Sequence, residues 1–128
     1  TWDSLKCYNS HNFSKIFYSK YKTFFWSNSR ILTINSACQE TIIEVPLMIN
    51  IMFINEYQSI GVGQHYDDLG YYPSGAIFIT NDTWKHYVRK TYSPSDAFEF
   101  TAISKMTAKK VMIIGTGFSA TKVLILNL

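Results

Sequence analysis

A turn-rich stretch in the middle of the chain carries the residue types that proteins use to bind sugars. Residues 58–74 contain three glycines and a proline, which predicts a long loop, and long loops are often functional. Aromatic rings stack on the apolar C–H faces of a sugar, while carboxylates and amides bind its hydroxyls. A predicted hairpin turn at 81–83 follows closely and adds similar side chains. The predicted glycan-binding cluster comprises His65, Tyr66, Asp67, Asp68, Tyr71, Tyr72, Asn81, Asp82 and Trp84.

The same residues have a structural interpretation, in which the tyrosines pack the loop onto the body of the protein and the aspartates cap turns. A cation site at His65, Asp67 and Asp68 is not predicted, because calcium loops need more oxygen ligands at a defined spacing. Cys7 and Cys38 have no metal-type spacing, and no local signature pairs either one with a histidine for nucleophilic catalysis. A single disulfide and two thiols both remain open. The sequence therefore predicts no metal, no cofactor and no catalytic residue.

Gly115 to Ala120 spells G-x-G-x-x-A, which resembles the nucleotide-binding fingerprint of flavin and nicotinamide enzymes. That fingerprint requires a helix after the glycines and an acidic residue about 20 positions later. Only eight residues follow Ala120, and none of them is acidic. The apolar runs Val111–Ile114 and Val123–Leu126 predict two strands joined by a turn. A truncated nucleotide-binding enzyme fragment using Gly115–Ala120 is the less favoured alternative.

Composition limits the classes of function that the chain can have. The 128 residues suit one domain, with 47% hydrophobic, 16% aromatic and 16% charged residues, and the charged fraction is low compared with about 25% in ordinary domains. Such a surface suits an oligomer or a larger assembly. The net charge of +3 is spread over two basic regions around an acidic one, without the basic cluster of a nucleic-acid site. We expect neither nucleic-acid binding nor membrane insertion, since no apolar run approaches about 18 residues.

The first 28 residues are dense in aromatic rings interleaved with lysine and serine. This pattern predicts an aromatic-rich arm or edge hairpin over residues 1–28, packed on the body or on a neighbouring subunit, and a single β-sandwich domain over 29–128. The start at Thr-Trp-Asp leads us to expect a piece of a longer polypeptide. The candidate interface residues are Trp2, Phe13, Phe17, Tyr21, Phe24, Phe25 and Trp26.

Short apolar runs with turn signals about every 8 to 12 residues continue to the end of the chain. Leu47–Tyr57 is predicted to be a central strand covered on both faces, and Ala97–Ser104 a half-buried strand. The pattern predicts an all-β fold, an antiparallel β-sandwich or jelly roll of seven to eight strands.

These features lead us to expect a non-enzymatic binding or structural module of a larger assembly. One such module is a viral or bacteriophage surface or receptor-binding domain that contacts host glycans, located outside the cell or on the virion surface. Its partners would be further copies of itself, with a trimer favoured, or neighbouring subunits, and weak glycan contacts would add up over the copies. The alternative is a purely structural capsid or tail subunit.

Overall fold

The computed structural model describes residues 13–66, 73–118 and 120–128, and in these ranges the chain is all-β. The predicted antiparallel sandwich is confirmed, but the described residues form eleven strands in three sheets rather than seven to eight strands. The strands are β1 (Lys15–Tyr18), β2 (Lys22–Ser27), β3 (Arg30–Asn35), β4 (Glu40–Glu44), β5 (Asn50–Phe53), β6 (Ser59–Tyr66), β7 (Pro73–Thr80), β8 (Val88–Thr91), β9 (Glu99–Thr107), β10 (Lys110–Thr116) and β11 (Thr121–Asn127).

The N-terminal sheet is a meander of β1, β2, β3 and β4. Its strands alternate between two faces, so that Phe24, Trp26 and Ile31 point to the inner face while Phe25 and Leu32 point to the outer one. The boundary predicted between an arm and a domain falls in the two-residue turn between β2 and β3. Strand β2 therefore lies inside the sheet, and its inner-face rings form part of the core.

The central sheet, β5-β6-β7-β8, is covered on both faces and separates two cores. On β7, Ala76 and Phe78 enter the first core against the N-terminal sheet, while Ile77 enters the second core against the C-terminal sheet. A strand buried on both faces reads as a continuous apolar run, and this explains the Ala-Ile-Phe-Ile sequence of β7.

The C-terminal sheet has the order β11-β10-β9 and covers the second core. The ring of Phe100 on β9 is fully buried and packs directly against two glycines. A Cβ on Gly75 would lie 2.8 Å from this ring, and a Cβ on Gly115 would lie 2.5 Å from it, so neither position has room for a side chain. The register between β9 and β10 shifts at Ile114/Gly115, which is a bulge of the kind that glycine favours. Gly115 is therefore a packing residue.

The prediction of a loop over residues 58–74 is wrong for most of this stretch. Strand β6 occupies the first half and lies between β5 and β7, with Ile60 and Val62 fully buried in the second core. Two of the three glycines that suggested turns, Gly61 and Gly63, are strand residues at a close approach. A Cβ on Gly61 would overlap the Met48 sulfur, and one on Gly63 would lie 3.3 Å from the Met48 Cα. Gly70 lies outside the described residues.

The central strand predicted over Leu47–Tyr57 is also shorter and differently placed. Only Asn50–Phe53 forms a strand, and it is one of the two outer strands of the central sheet. The preceding segment crosses over β6, where the Ile49 N–H donates to the Val62 carbonyl and the Met48 side chain enters the first core. Its apolar character therefore reflects packing across the sheet as well as strand formation.

Candidate functional site

The structure does not bring the predicted glycan-binding residues into one cluster. His65 and Tyr66 end β6 opposite Ser74 and Pro73, whereas Asn81, Asp82 and Trp84 follow the opposite end of β7. Six residues of β7 separate the two groups, which is about 20 Å at about 3.4 Å per residue. Asp67, Asp68, Tyr71 and Tyr72 lie outside the described residues.

Trp84 cannot present its ring to a ligand, since it is only 5% exposed and belongs to the first core. The contacts around it instead make the β7–β8 loop, residues 81–87, a rigid connection. Buried Thr80 accepts a hydrogen bond from the Trp84 N–H at 3.0 Å and donates one to the His86 carbonyl at 2.8 Å. These bonds close the base of the loop.

The Asp82 carboxylate holds the second half of the loop in place. It accepts hydrogen bonds from the His86 backbone N–H at 3.0 Å and from His86 Nδ1–H at 2.7 Å. The backbone hydrogen bond, followed by the side-chain one, lowers the pKa of Asp82 from 3.8 to about 2. Because Nδ1 donates to the carboxylate, Nε2 of this largely exposed imidazole is directed away from Asp82.

The β7–β8 loop is also fastened to the turn between β5 and β6. The Thr83 N–H donates to the Tyr57 carbonyl at 3.0 Å, and the Thr83 hydroxyl donates to the Glu56 carbonyl at 3.1 Å. Thr83 and Trp84 both have positive φ angles, of 60° and 65°, which is costly for residues with a Cβ. The surrounding contacts therefore impose a backbone shape that these two residues would not adopt alone.

A shallow cavity of about 180 Å³ opens beside this loop. The exposed residues Asn81 and His86 line it. Tyr87 lines it as well; this side chain is 47% exposed and packs edge-on against Phe78, with ring centroids 6.0 Å apart. Exposed Tyr57 stands on the adjoining turn. The loop thus presents an amide, an imidazole and a phenol ring from a fixed backbone.

The predicted glycan-binding cluster included Asn81 but missed His86 and Tyr87, which line the same cavity. The Asn-Asp-Thr turn signal pointed to the loop, but the contact between Thr83 and Tyr57 joins residues 26 positions apart and leaves no local pattern. At the other end of β6, partly buried His65 lies 3.2 Å from an Arg89 guanidinium nitrogen, and Tyr66 is exposed.

Most of the candidate interface rings serve the fold of the chain itself. Phe24 and Trp26 are buried in the first core, and Phe17 stacks on Phe53 of β5 at 5.3 Å. Phe25 is buried on the outer face of the N-terminal sheet, where Phe13 packs on it at 5.4 Å. Tyr21 is exposed, and Trp2 lies outside the described residues.

The described part of the Gly115–Ala120 string ends β10 and enters the turn of the β10–β11 hairpin, as predicted. The Gly117 N–H donates to the Ala120 carbonyl at 3.0 Å, and a Cβ on Gly117 would lie 2.8 Å from the Asp96 carbonyl oxygen. A strand follows the turn where the nucleotide fingerprint requires a helix N-terminus.

Within the described ranges, no three or more His, Cys, Asp or Glu side chains are grouped so that they could hold a metal ion. The same ranges contain no helix long and apolar enough to cross a membrane. Comparison of the chain with protein-family models, with curated proteins and with solved structures returned no match.

Proposed function

We propose that this protein is a non-enzymatic glycan-binding module that acts as one of several copies in a larger assembly, such as a virion or another extracellular surface. The observation that carries the proposal is the β7–β8 loop, which is held rigid and surrounds its cavity with Asn81, His86 and Tyr87. Rings that stack on sugar C–H faces, beside polar groups that bind hydroxyls, are the usual elements of a carbohydrate site.

The mechanism follows from the chemistry of the three side chains. The exposed face of Tyr87 offers a platform for a sugar ring, because Phe78 and Trp84 support the phenol at centroid distances of 6.0 Å each. The Asn81 amide both donates and accepts hydrogen bonds, and His86 Nε2 points away from its bond to Asp82. Such a small, open site binds weakly, so useful affinity requires several copies.

The multi-copy part of the proposal is supported by the surface of the described residues. Exposed apolar and tyrosine side chains occur on all three sheets, and large apolar areas on a soluble protein mark interaction surfaces. The exposed members are Ile16, Tyr18, Tyr21, Ile42, Leu47, Ile49, Tyr57, Tyr66, Tyr87, Val88, Met106, Phe118, Val123, Ile125 and Leu128.

A glycan array probed with multimerised protein tests the binding site. Tyr87→Ala should reduce every positive signal by about two- to tenfold, since stacking on one ring is worth roughly 0.5–1.5 kcal/mol. Tyr18→Ala is the matched control, because Tyr18 is exposed on β1 and does not line the cavity. An unchanged signal for Tyr87→Ala would show that the glycan does not bind at the β7–β8 loop. The end of β6 would then be tested with Tyr66→Ala.

A purely structural subunit is the second candidate function. It is favoured by the same exposed apolar side chains, because they could all be covered by neighbouring subunits. An array without any signal from an oligomeric sample would support this candidate over glycan binding.

A further inference from the structure

Strand β11 is an unusual sheet edge among the described residues. The outer strands of the other two sheets have four or five residues, and two of them carry charges along the edge, with Glu40 and Glu44 on β4 and Arg89 and Lys90 on β8. Strand β11 has seven residues, pairs with β10 without a bulge, and contains Lys122 as its one charged residue. It therefore lacks most of the features that protect an edge from pairing with another chain.

The hydrogen bonds of the β10–β11 hairpin show which backbone groups remain at this edge. The Leu128 N–H donates to the Lys109 carbonyl, and the Gly117 N–H donates to the Ala120 carbonyl. Because residues of an antiparallel strand alternate in direction, the even-numbered residues of β11 bond to β10. The outward N–H and C=O groups, which pair with no strand among the described residues, are those of Thr121, Val123, Ile125 and Asn127.

The side chains of the same strand are apolar on both faces. Leu124 and Leu126 pack on the second core, whereas Val123 and Ile125 are 57% and 56% exposed on the outer face. Ile125 lies opposite Met112 of β10 and extends the apolar outer face of the sheet. An edge with apolar side chains and outward backbone groups suits the addition of another strand.

We propose that β11 pairs with β11 of a second copy of the chain, antiparallel and centred on Leu124, a contact that rests on the multi-copy function proposed above. In this register each Val123 faces the partner's Ile125, so that the outward backbone groups of the two edges meet as hydrogen-bonded pairs. Thr121 faces the partner's Asn127, and Lys122 faces the partner's Leu126. The contact therefore uses the whole strand and places no two like charges opposite each other.

The size of the contact determines its strength, and the antiparallel pairing of two identical strands determines its symmetry. Two seven-residue strands bury less than the roughly 800 Å² per partner of a standard stable interface, so we expect a concentration-dependent dimer. The contact has two-fold symmetry, which makes the dimer the basic unit. The trimer expected from the sequence is compatible with it where two trimers are joined through their β11 edges.

Residue-resolved amide hydrogen exchange, measured by NMR on the unmodified protein at about 20 μM and about 1 mM, tests the pairing. We expect the Val123 and Ile125 amides to exchange at least about tenfold more slowly at the higher concentration, because they become hydrogen-bonded in the dimer. The amides of β4, another sheet edge, serve as the internal control and should not change with concentration.

A matched pair of variants tests the same contact by sedimentation equilibrium. Ile125→Lys places a charge beside the partner strand and should weaken dimerisation about tenfold or more. Ile42→Lys, at a side chain that is 54% exposed on β4, should leave dimerisation unchanged. Circular dichroism is used to check that both variants are folded. The exchange experiment uses the unmodified protein and so does not depend on the folding of either variant.

The outcomes separate this inference from the function on which it rests. Self-association with unprotected Val123 and Ile125 amides would overturn the β11 pairing and leave the multi-copy function standing. A single monomeric species at every concentration would contradict the multi-copy function itself.

Discussion

Replacing Gly61 by alanine tests whether β6 lies in the core, as the structure has it, or in an exposed loop. The added Cβ would overlap the Met48 Sδ and lie 3.1 Å from its Cγ, and both residues are buried. The thioether must therefore leave its place in a packed core, and overpacking of this kind costs about 1–3 kcal/mol. The reduced freedom of the unfolded chain offsets about 0.4–1 kcal/mol of that cost.

A double-mutant cycle with Met48→Ala makes this prediction sharper. Met48 is 2% exposed, so its truncation alone should cost about 2–5 kcal/mol. All three close atoms belong to the Met48 side chain, so the methyl group added at position 61 meets no clash once that side chain is removed. The double variant should then be more stable than the sum of the two single effects predicts, by about 1–3 kcal/mol.

Urea denaturation followed by tryptophan fluorescence gives the four free energies of unfolding. Met106→Ala on β9 is the matched control for the methionine truncation, because Met106 is 48% exposed and should cost less than about 1 kcal/mol. A gain in stability of about 0.4–1 kcal/mol for Gly61→Ala would be typical of an open loop and would refute the position of β6. Additive effects of Gly61→Ala and Met48→Ala would refute the contact between them.

The β7–β8 loop provides further predictions. Thr80→Val leaves the buried Trp84 N–H without its acceptor and should destabilise the fold by about 1–3 kcal/mol in urea denaturation, whereas Thr101→Val on an exposed strand position should not. Asp82→Asn should destabilise the fold near neutral pH, because the ionised carboxylate accepts the hydrogen bonds of His86. Since the pKa of Asp82 falls from 3.8 to about 2 on folding, its contribution is complete above pH 3.8 and is lost as the pH falls through about 2. The free energies of unfolding of the unmodified protein and of Asp82→Asn should therefore converge as the pH falls toward about 2. A difference between them that persists there would contradict the assigned pKa of Asp82.

Local patterns in the sequence were sufficient for the fold class and for the end of the chain. The runs Val111–Ile114 and Val123–Leu126 lie within β10 and β11. These strands are joined by a hairpin turn, as predicted, and not by the start of a helix that a nucleotide motif would require. The pattern over 58–66 failed because glycine has two uses: it favours turns, and it also permits close contact within a sheet. Which one applies at Gly61 depends on Met48, thirteen residues earlier, and no local pattern reports that contact.

The candidate site was only partly predictable for a similar reason. The Asn-Asp-Thr signal identified the turn after β7, but nothing local indicated that Trp84 is buried while Tyr87 is half exposed. The length of β7 separates His65 from Asn81, and that length became visible only once β6 and β7 were paired. A backbone hydrogen bond from Thr83 to the Tyr57 carbonyl fixes the loop beside the β5–β6 turn, and this contact depends on the tertiary fold.

The mass of the protein in solution, measured by light scattering over about a hundredfold range of concentration, tests the central claim most directly. We expect a mass that rises with concentration toward a multiple of the 14.8 kDa chain, in an even number of copies where β11 supplies the contact. A constant mass of 14.8 kDa across the whole range would contradict a module that acts through several copies.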